Sequence, residues 1–111
     1  MLMRCAFFKG RIKPGMESRF YRQVEDKLVP LWTRFPGAKD VRVIRQRHSD
    51  VDDPAIPLAI AMLFDSQDDI DAALASPVRR ESQVESRVLI DMFEGTVFHT
   101  VFDAQVFPTG T

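Results

Sequence analysis

The stretch that decides the fold is LAIAMLFDSQDDIDAALASP, residues 58–77. Its first seven residues are apolar without alternation, the pattern of a central strand covered on both faces. Ser66 then stands three residues ahead of Asp69, a capping-box spacing that predicts a helix through Ile70, Ala73 and Leu74. Ser76 and Pro77 repeat the signal, an N-cap followed by a proline suited to the first helical position. A second helical segment therefore starts there and continues through Val84, Val88, Leu89, Met92 and Phe93, with Gly95 closing it.

Reading outward from this unit, residues 39–48 (KDVRVIRQRH) mix Val41, Val43 and Ile44 with basic positions, as a strand with one covered face and one wetter face would. The loop SDVDDPAIP joins it to the central strand. Before it, apolar residues recur at Met16, Phe20, Val24, Leu28, Leu31 or Trp32, and Phe35, which places one stripe on a helix. Pro30 falls inside that pattern, where it lacks the amide that would bond Asp26, so a kink or a restart is expected. Residues 3–9 form the first strand and residues 96–107 alternate as the last. The order strand, helix, strand, strand, helix, strand predicts an α+β, ferredoxin-like βαββαβ domain with a four-stranded antiparallel sheet, spanning residues 1–111 as one unit. Both helices lie on one sheet face. The other face, apolar in the third and fourth strands, calls for a second subunit, and two such sheets face to face make a dimeric α+β barrel.

Composition narrows the function classes. The 111 residues contain one cysteine, Cys5, so no intrachain disulfide forms and no zinc-ligand set exists. Only four apolar residues separate Arg4 from Lys9, too few for a signal-peptide core or a membrane span, which predicts a cytoplasmic protein without a membrane partner. Charge is polarised: 12 Lys/Arg against 4 Asp/Glu up to His48, and 3 against 12 beyond it. KGRIKPG carries no aromatic stacking platform, so a nucleic-acid partner is not expected. Interleaving of the two halves in the fold accounts for the polarity instead. Glycine-rich phosphate loops, nucleophile elbows and dinucleotide fingerprints are absent from the sequence, and no metal or cofactor is expected.

FDSQDDIDAALASP at 64–77, with LVPL at 28–31 and the closing Phe and Val alternation, resembles the dimeric α/β-barrel superfamily, and within it the EthD-like (ethyl tert-butyl ether degradation) proteins. That resemblance covers nearly the whole domain. It implies a homodimer with a pocket in each subunit between helices and sheet, and a range of activities that includes cofactor-free monooxygenases, lactone isomerases, polyketide cyclases and haem-degrading enzymes. Many EthD-like chains carry a histidine two residues before the helix-one proline. Leu28 stands there in this chain, so that histidine's acid–base role does not transfer.

The candidate chemistry rests on few residues. His99 shares its strand face with Val97, Val101 and Asp103, while Phe98, Thr100 and Phe102 point the other way. Beneath the helices it would enter the pocket as a catalytic general base; at a dimer seam it would be packing. Arg45 and Arg47 share a face with Val41 and Val43 and are candidates to hold a carboxylate or phenolate of the substrate. Tyr21 and Trp32, on or near the helix-one stripe, are candidates to line a pocket for a flat, hydrophobic aromatic or ketonic molecule. His48 belongs with the surface charges around it, Asp91 reads as an exposed helical residue, and Cys5 as a small buried hydrophobe. Three functions follow: a cofactor-independent enzyme of the isomerase, cyclase or monooxygenase type; a non-catalytic binding or accessory protein; and a haem-binding protein using a pocket histidine as axial ligand.

Overall fold

The computed structural model describes residues 1–110. Strands β1 (Leu2–Ile12), β2 (Asp40–Arg45), β3 (Leu58–Phe64) and β4 (Phe93–Asp103) form one antiparallel sheet in the order β2-β3-β1-β4. Helices α1 (Glu17–Gln23) and α2 (Val29–Trp32) lie between β1 and β2, and α3 (Gln67–Leu74) and α4 (Pro77–Asp91) lie between β3 and β4. This is the ferredoxin-like α+β arrangement expected from the sequence.

Both caps form as their sequence implies. The Ser66 side chain accepts from the Asp69 amide at 3.2 Å and that of Ser76 from the Arg79 amide at 3.4 Å, while Ser76 Oγ also donates to Ala73 O at 2.6 Å. One serine thus ends α3 and begins α4. The buried Ile70 and Ala73 seat α3 on the core.

Helix one is neither straight nor simply broken. Residues Val24–Leu28 form a π-helical turn between α1 and α2, in which the Val29 amide bonds Val24 O, five residues back. Pro30 has no amide to offer Asp26 O, and its ring would crowd that carbonyl in a regular turn; widening the turn relieves both problems. Phe20, Val24, Leu28 and Trp32 all end up buried.

Beneath the helices, Phe20 meets Phe8 edge-on at 5.9 Å between centroids and Phe93 at 6.1 Å, and Phe8 meets Phe93 at 5.4 Å. Leu58, Phe64 and Leu89 complete this core. β3 lies inside the sheet and is buried except for a half-buried Leu63, as its unbroken apolar run requires.

Three expectations change. β4 begins at Phe93 rather than 96 and ends at Asp103 rather than 107, because Gly95 is a strand residue and not a helix terminator. It pairs with Gly10, and the two glycines (φ +140° and +150°) bring their backbones so close that a Cβ on either would overlap the opposite chain, at Glu94 O or Lys9 O. β2 spans only Asp40–Arg45, is largely exposed at the sheet edge, and does not bury a face as expected. β4 is the other edge, so its outer residues are also less covered in the single chain than their apolar character suggests.

Three of the four ion pairs among the described residues join the basic first half to the acidic second: Arg11 to Glu94 at 3.0 Å, Arg34 to Glu81 at 3.7 Å and Lys39 to Asp65 at 3.0 Å. All are solvent-exposed and contribute little to stability, but they fit the interleaving that the charge polarity implies. Among the described residues, no helix is long and apolar enough to cross a membrane.

Candidate functional site

Strand register fixes which side chains share the helix-side face of the sheet. Ala6 is opposite His99, Arg4 opposite Val101, and Phe8 opposite Val97 in the β1–β4 ladder, while Ala6 pairs with Ile60 and Arg4 with Met62 toward β3. These residues point under α4, where a cavity of about 280 Å³ opens. Its floor is Ala6, Phe8, Ile60, Met62 and Val97; Trp32 and Phe35 wall one side. His99 therefore belongs to the face beneath the helices.

The roof is a single face of α4. Arg79, Ser82, Gln83, Ser86, Arg87 and Ile90 all line the cavity, at the three- and four-residue spacing that aligns side chains on one side of a helix. An amphipathic helix ordinarily sets bulky apolar residues there. Serines at 82 and 86, with alanine opposite at position 6, leave the space unfilled, and this is why a cavity exists at all. Ser82 is buried and its hydroxyl donates back to Arg79 O at 2.7 Å. The apolar stripe expected on this helix is placed differently: Leu89 is buried, but Val84 and Val88 are exposed.

Electrostatically the site is one-sided. Arg4, Arg79 and Arg87 contribute three guanidiniums, no carboxylate lines the cavity, and none of the three arginines forms an ion pair among the described residues. Burial, and then Arg79, push the Arg4 guanidinium below its ordinary range, although an arginine remains charged. His99 stands exposed at the rim, on the edge strand, with one side turned into the cavity. Partial burial, followed by the charges of Arg4 and Arg79, pushes its imidazole down to about 4. At neutral pH it is uncharged, with a free lone pair.

The other residues singled out in the sequence fall as follows. Trp32 lines the cavity together with His99. Tyr21 and Arg45 do not; they stack on each other at the β2 edge of the sheet, Arg45 Cζ lying 3.6 Å from the ring centroid. Arg47 and His48 are exposed beyond the end of β2, and Asp91 is exposed at the end of α4. The guanidiniums that reach the cavity are thus Arg4, Arg79 and Arg87, not Arg45 or Arg47. Cys5 is buried on the opposite sheet face, and burial raises its thiol. Among the described residues no three His, Cys, Asp or Glu are placed to share a metal ion.

No family model and no curated protein matches the sequence. Solved structures do match the fold. An EthD family protein from Bacillus halodurans is 16% identical, with 95% of this chain and 99% of that chain covered at a TM-score of 0.73. A dimeric protein of unknown function and ferredoxin-like fold from Bacteroides fragilis is 13% identical, covering 93% and 95% at 0.68. A candidate antibiotic biosynthesis monooxygenase from Caulobacter crescentus is 11% identical, covering 95% and 91% at 0.67. The chain shares its fold with these proteins over nearly its full length, as the resemblance to the EthD-like, dimeric α/β-barrel proteins implies.

Proposed function

We propose that this chain is a homodimeric α/β-barrel protein whose cavity beneath α4 takes a hydrophobic aromatic or ketonic small molecule, and that it performs cofactor-independent proton transfer on that molecule, of the isomerase or cyclase type. His99 is the proton acceptor. The observation that carries this reading is an imidazole, without a hydrogen-bond or ion-pair partner among the described residues, turned into the rim of a cavity with an apolar floor. Its lone pair abstracts a proton from carbon next to a carbonyl, leaving an enolate, and the imidazolium returns the proton to a second position.

The test is hydrogen–deuterium exchange at the acidic carbon of a panel of aryl ketones and unsaturated lactones in D₂O, followed by NMR. The wild-type chain is expected to accelerate exchange for at least one compound class, and His99→Gln to slow it by roughly 10²-fold or more. Exchange undiminished in a folded His99→Gln variant would remove His99 from the chemistry.

A second reading, a non-catalytic binding protein, is favoured by Leu28, which is fully buried where many EthD-like chains carry a histidine, and by the weak basicity of His99. Binding of the same compounds without exchange would select it. If a haemin titration produced a Soret shift that His99→Gln abolished, haem would replace both readings.

The dimer is supported by the opposite sheet face. Phe7 packs on Phe98 at 5.4 Å and on Phe102 at 6.3 Å, and Ile44, Phe98 and Phe102 are left exposed in the single chain. An aromatic cluster left exposed on an open sheet marks an interaction surface, which supports cover by a second copy. Phe102→Asp is expected to convert a dimer to a monomer in sedimentation velocity at micromolar concentration. A monomeric wild-type chain would contradict the barrel.

A further inference from the structure

We propose that the cavity is a site for amphipathic carboxylates, with the Arg4 and Arg79 guanidiniums holding the anion over His99, and that binding of the anion is coupled to proton uptake by His99. The inference rests on the cavity reading above and adds a ligand class and a linkage to it.

The lining carries three positive side chains and no negative one, so a neutral hydrophobic molecule leaves the guanidiniums uncompensated, whereas a carboxylate pairs with their planar forks. Geometry places the anion. Arg4 and His99 sit on the same sheet face, one strand pair apart along the β1–β4 ladder, and Arg79 descends from the first turn of α4 onto both. The apolar remainder of the ligand then lies along Phe8, Met62 and Trp32.

The linkage follows from the same arrangement. The charged groups around His99 are Arg4 from β1 and Arg79 from α4, with Arg87 further along that helix; Asp103 shares its face of β4 but stands four residues away and does not line the cavity, and β3 and α2 contribute only apolar residues to the lining. With the cavity empty, the two nearest arginines oppose a charge on the imidazole. A bound carboxylate cancels that opposition and adds an attraction, so the occupied site raises the proton affinity of the imidazole while leaving it largely uncharged, and able to accept a proton, at pH 7. Because binding and protonation are coupled reciprocally, affinity for the acid rises as pH falls from 7 toward 5 while the carboxylate stays ionised.

The test uses the full chain with trans-cinnamate and its uncharged analogue cinnamyl alcohol. Binding is read from the Trp32 indole and Met62 methyl resonances, and His99 from its imidazole resonances, distinguished from those of His48 by a His48→Gln variant. Cinnamate is expected to bind at least tenfold more tightly than the alcohol at pH 6, and to raise the His99 titration midpoint by at least one unit. Arg4→Gln and Arg79→Gln are each expected to remove the preference for the acid over the alcohol. Equal affinity for acid and alcohol, or a His99 midpoint unmoved by saturating cinnamate, would overturn this inference and leave the hydrophobic cavity standing. Failure of both probes to perturb Trp32 and Met62 would overturn the cavity reading itself.

Discussion

Gly95→Ala is expected to be the most damaging single-methyl change in the protein, costing roughly 3 kcal/mol or more. Gly95 holds a φ of +150°, and its Cβ would be driven into the Lys9 carbonyl where β4 runs against β1. Both parts of the cost fall on backbone, which has no flexible end to swing away. The ladder between these strands is the longest in the sheet and carries His99 and Arg4. The measurement is the thermal midpoint by circular dichroism, expected to drop by about 12 °C or more. Gly15→Ala is the control: its φ is +78°, yet nothing lies within 4 Å of an added Cβ, so only the conformational penalty of about 1 kcal/mol applies. Equal shifts for the two variants would show that the close strand approach at Gly10 and Gly95 does not govern the cost.

The second large effect concerns Leu28. Placing at position 28 the histidine that many EthD-like chains carry ahead of the helix-one proline is expected to destabilise this chain by roughly 3 kcal/mol or more and to confer no activity. Leu28 is fully buried, packed in the core that Val24, Phe20 and Leu89 share, and an imidazole there loses water without gaining a hydrogen-bond partner. Leu28→Met, which keeps the volume and the apolar character, is expected to cost less than about 1.5 kcal/mol. Urea denaturation of the three proteins separates these outcomes. If Leu28→His were as stable as Leu28→Met, the position would have to be open to polar contacts that a sealed core does not offer.

The parts of the molecule that could be read from the chain are those whose physics is local. Ser66 and Ser76 cap helices because a hydroxyl three residues ahead of an amide does so almost wherever it occurs, and residues 58–64 form an interior strand because nothing in them tolerates water. His99 could be assigned to a face by strand alternation, though not to a side of the sheet, since both faces of β4 are apolar. The arginines of the cavity were hidden for a different reason. Arg4 stands in a short apolar strand, where a single charge reads as an edge position, and Arg79 is the first of two adjacent arginines in a helix. Only the polar repeat 79, 82, 83, 86, 87 marks the cavity roof in the sequence, and a polar helix face ordinarily means solvent. Arg45 looked inward for the opposite reason: its strand parity is right, but β2 is at the sheet edge and the side chain settles on Tyr21.

The widened turn at Val24–Leu28 has a consequence for how the cavity is encoded. Phe20, Val24, Leu28 and Trp32 recur every fourth residue, whereas an α-helix advances about 100° per residue, so over these twelve residues a regular helix would fall out of step by about 120°. The π-helical turn acts as a vernier: it absorbs that mismatch and sets the angular phase of everything after it. Trp32 and Phe35 come round to face the cavity because five residues before them keep a different pitch. The shape of the pocket wall is therefore written partly in residues that never touch the pocket.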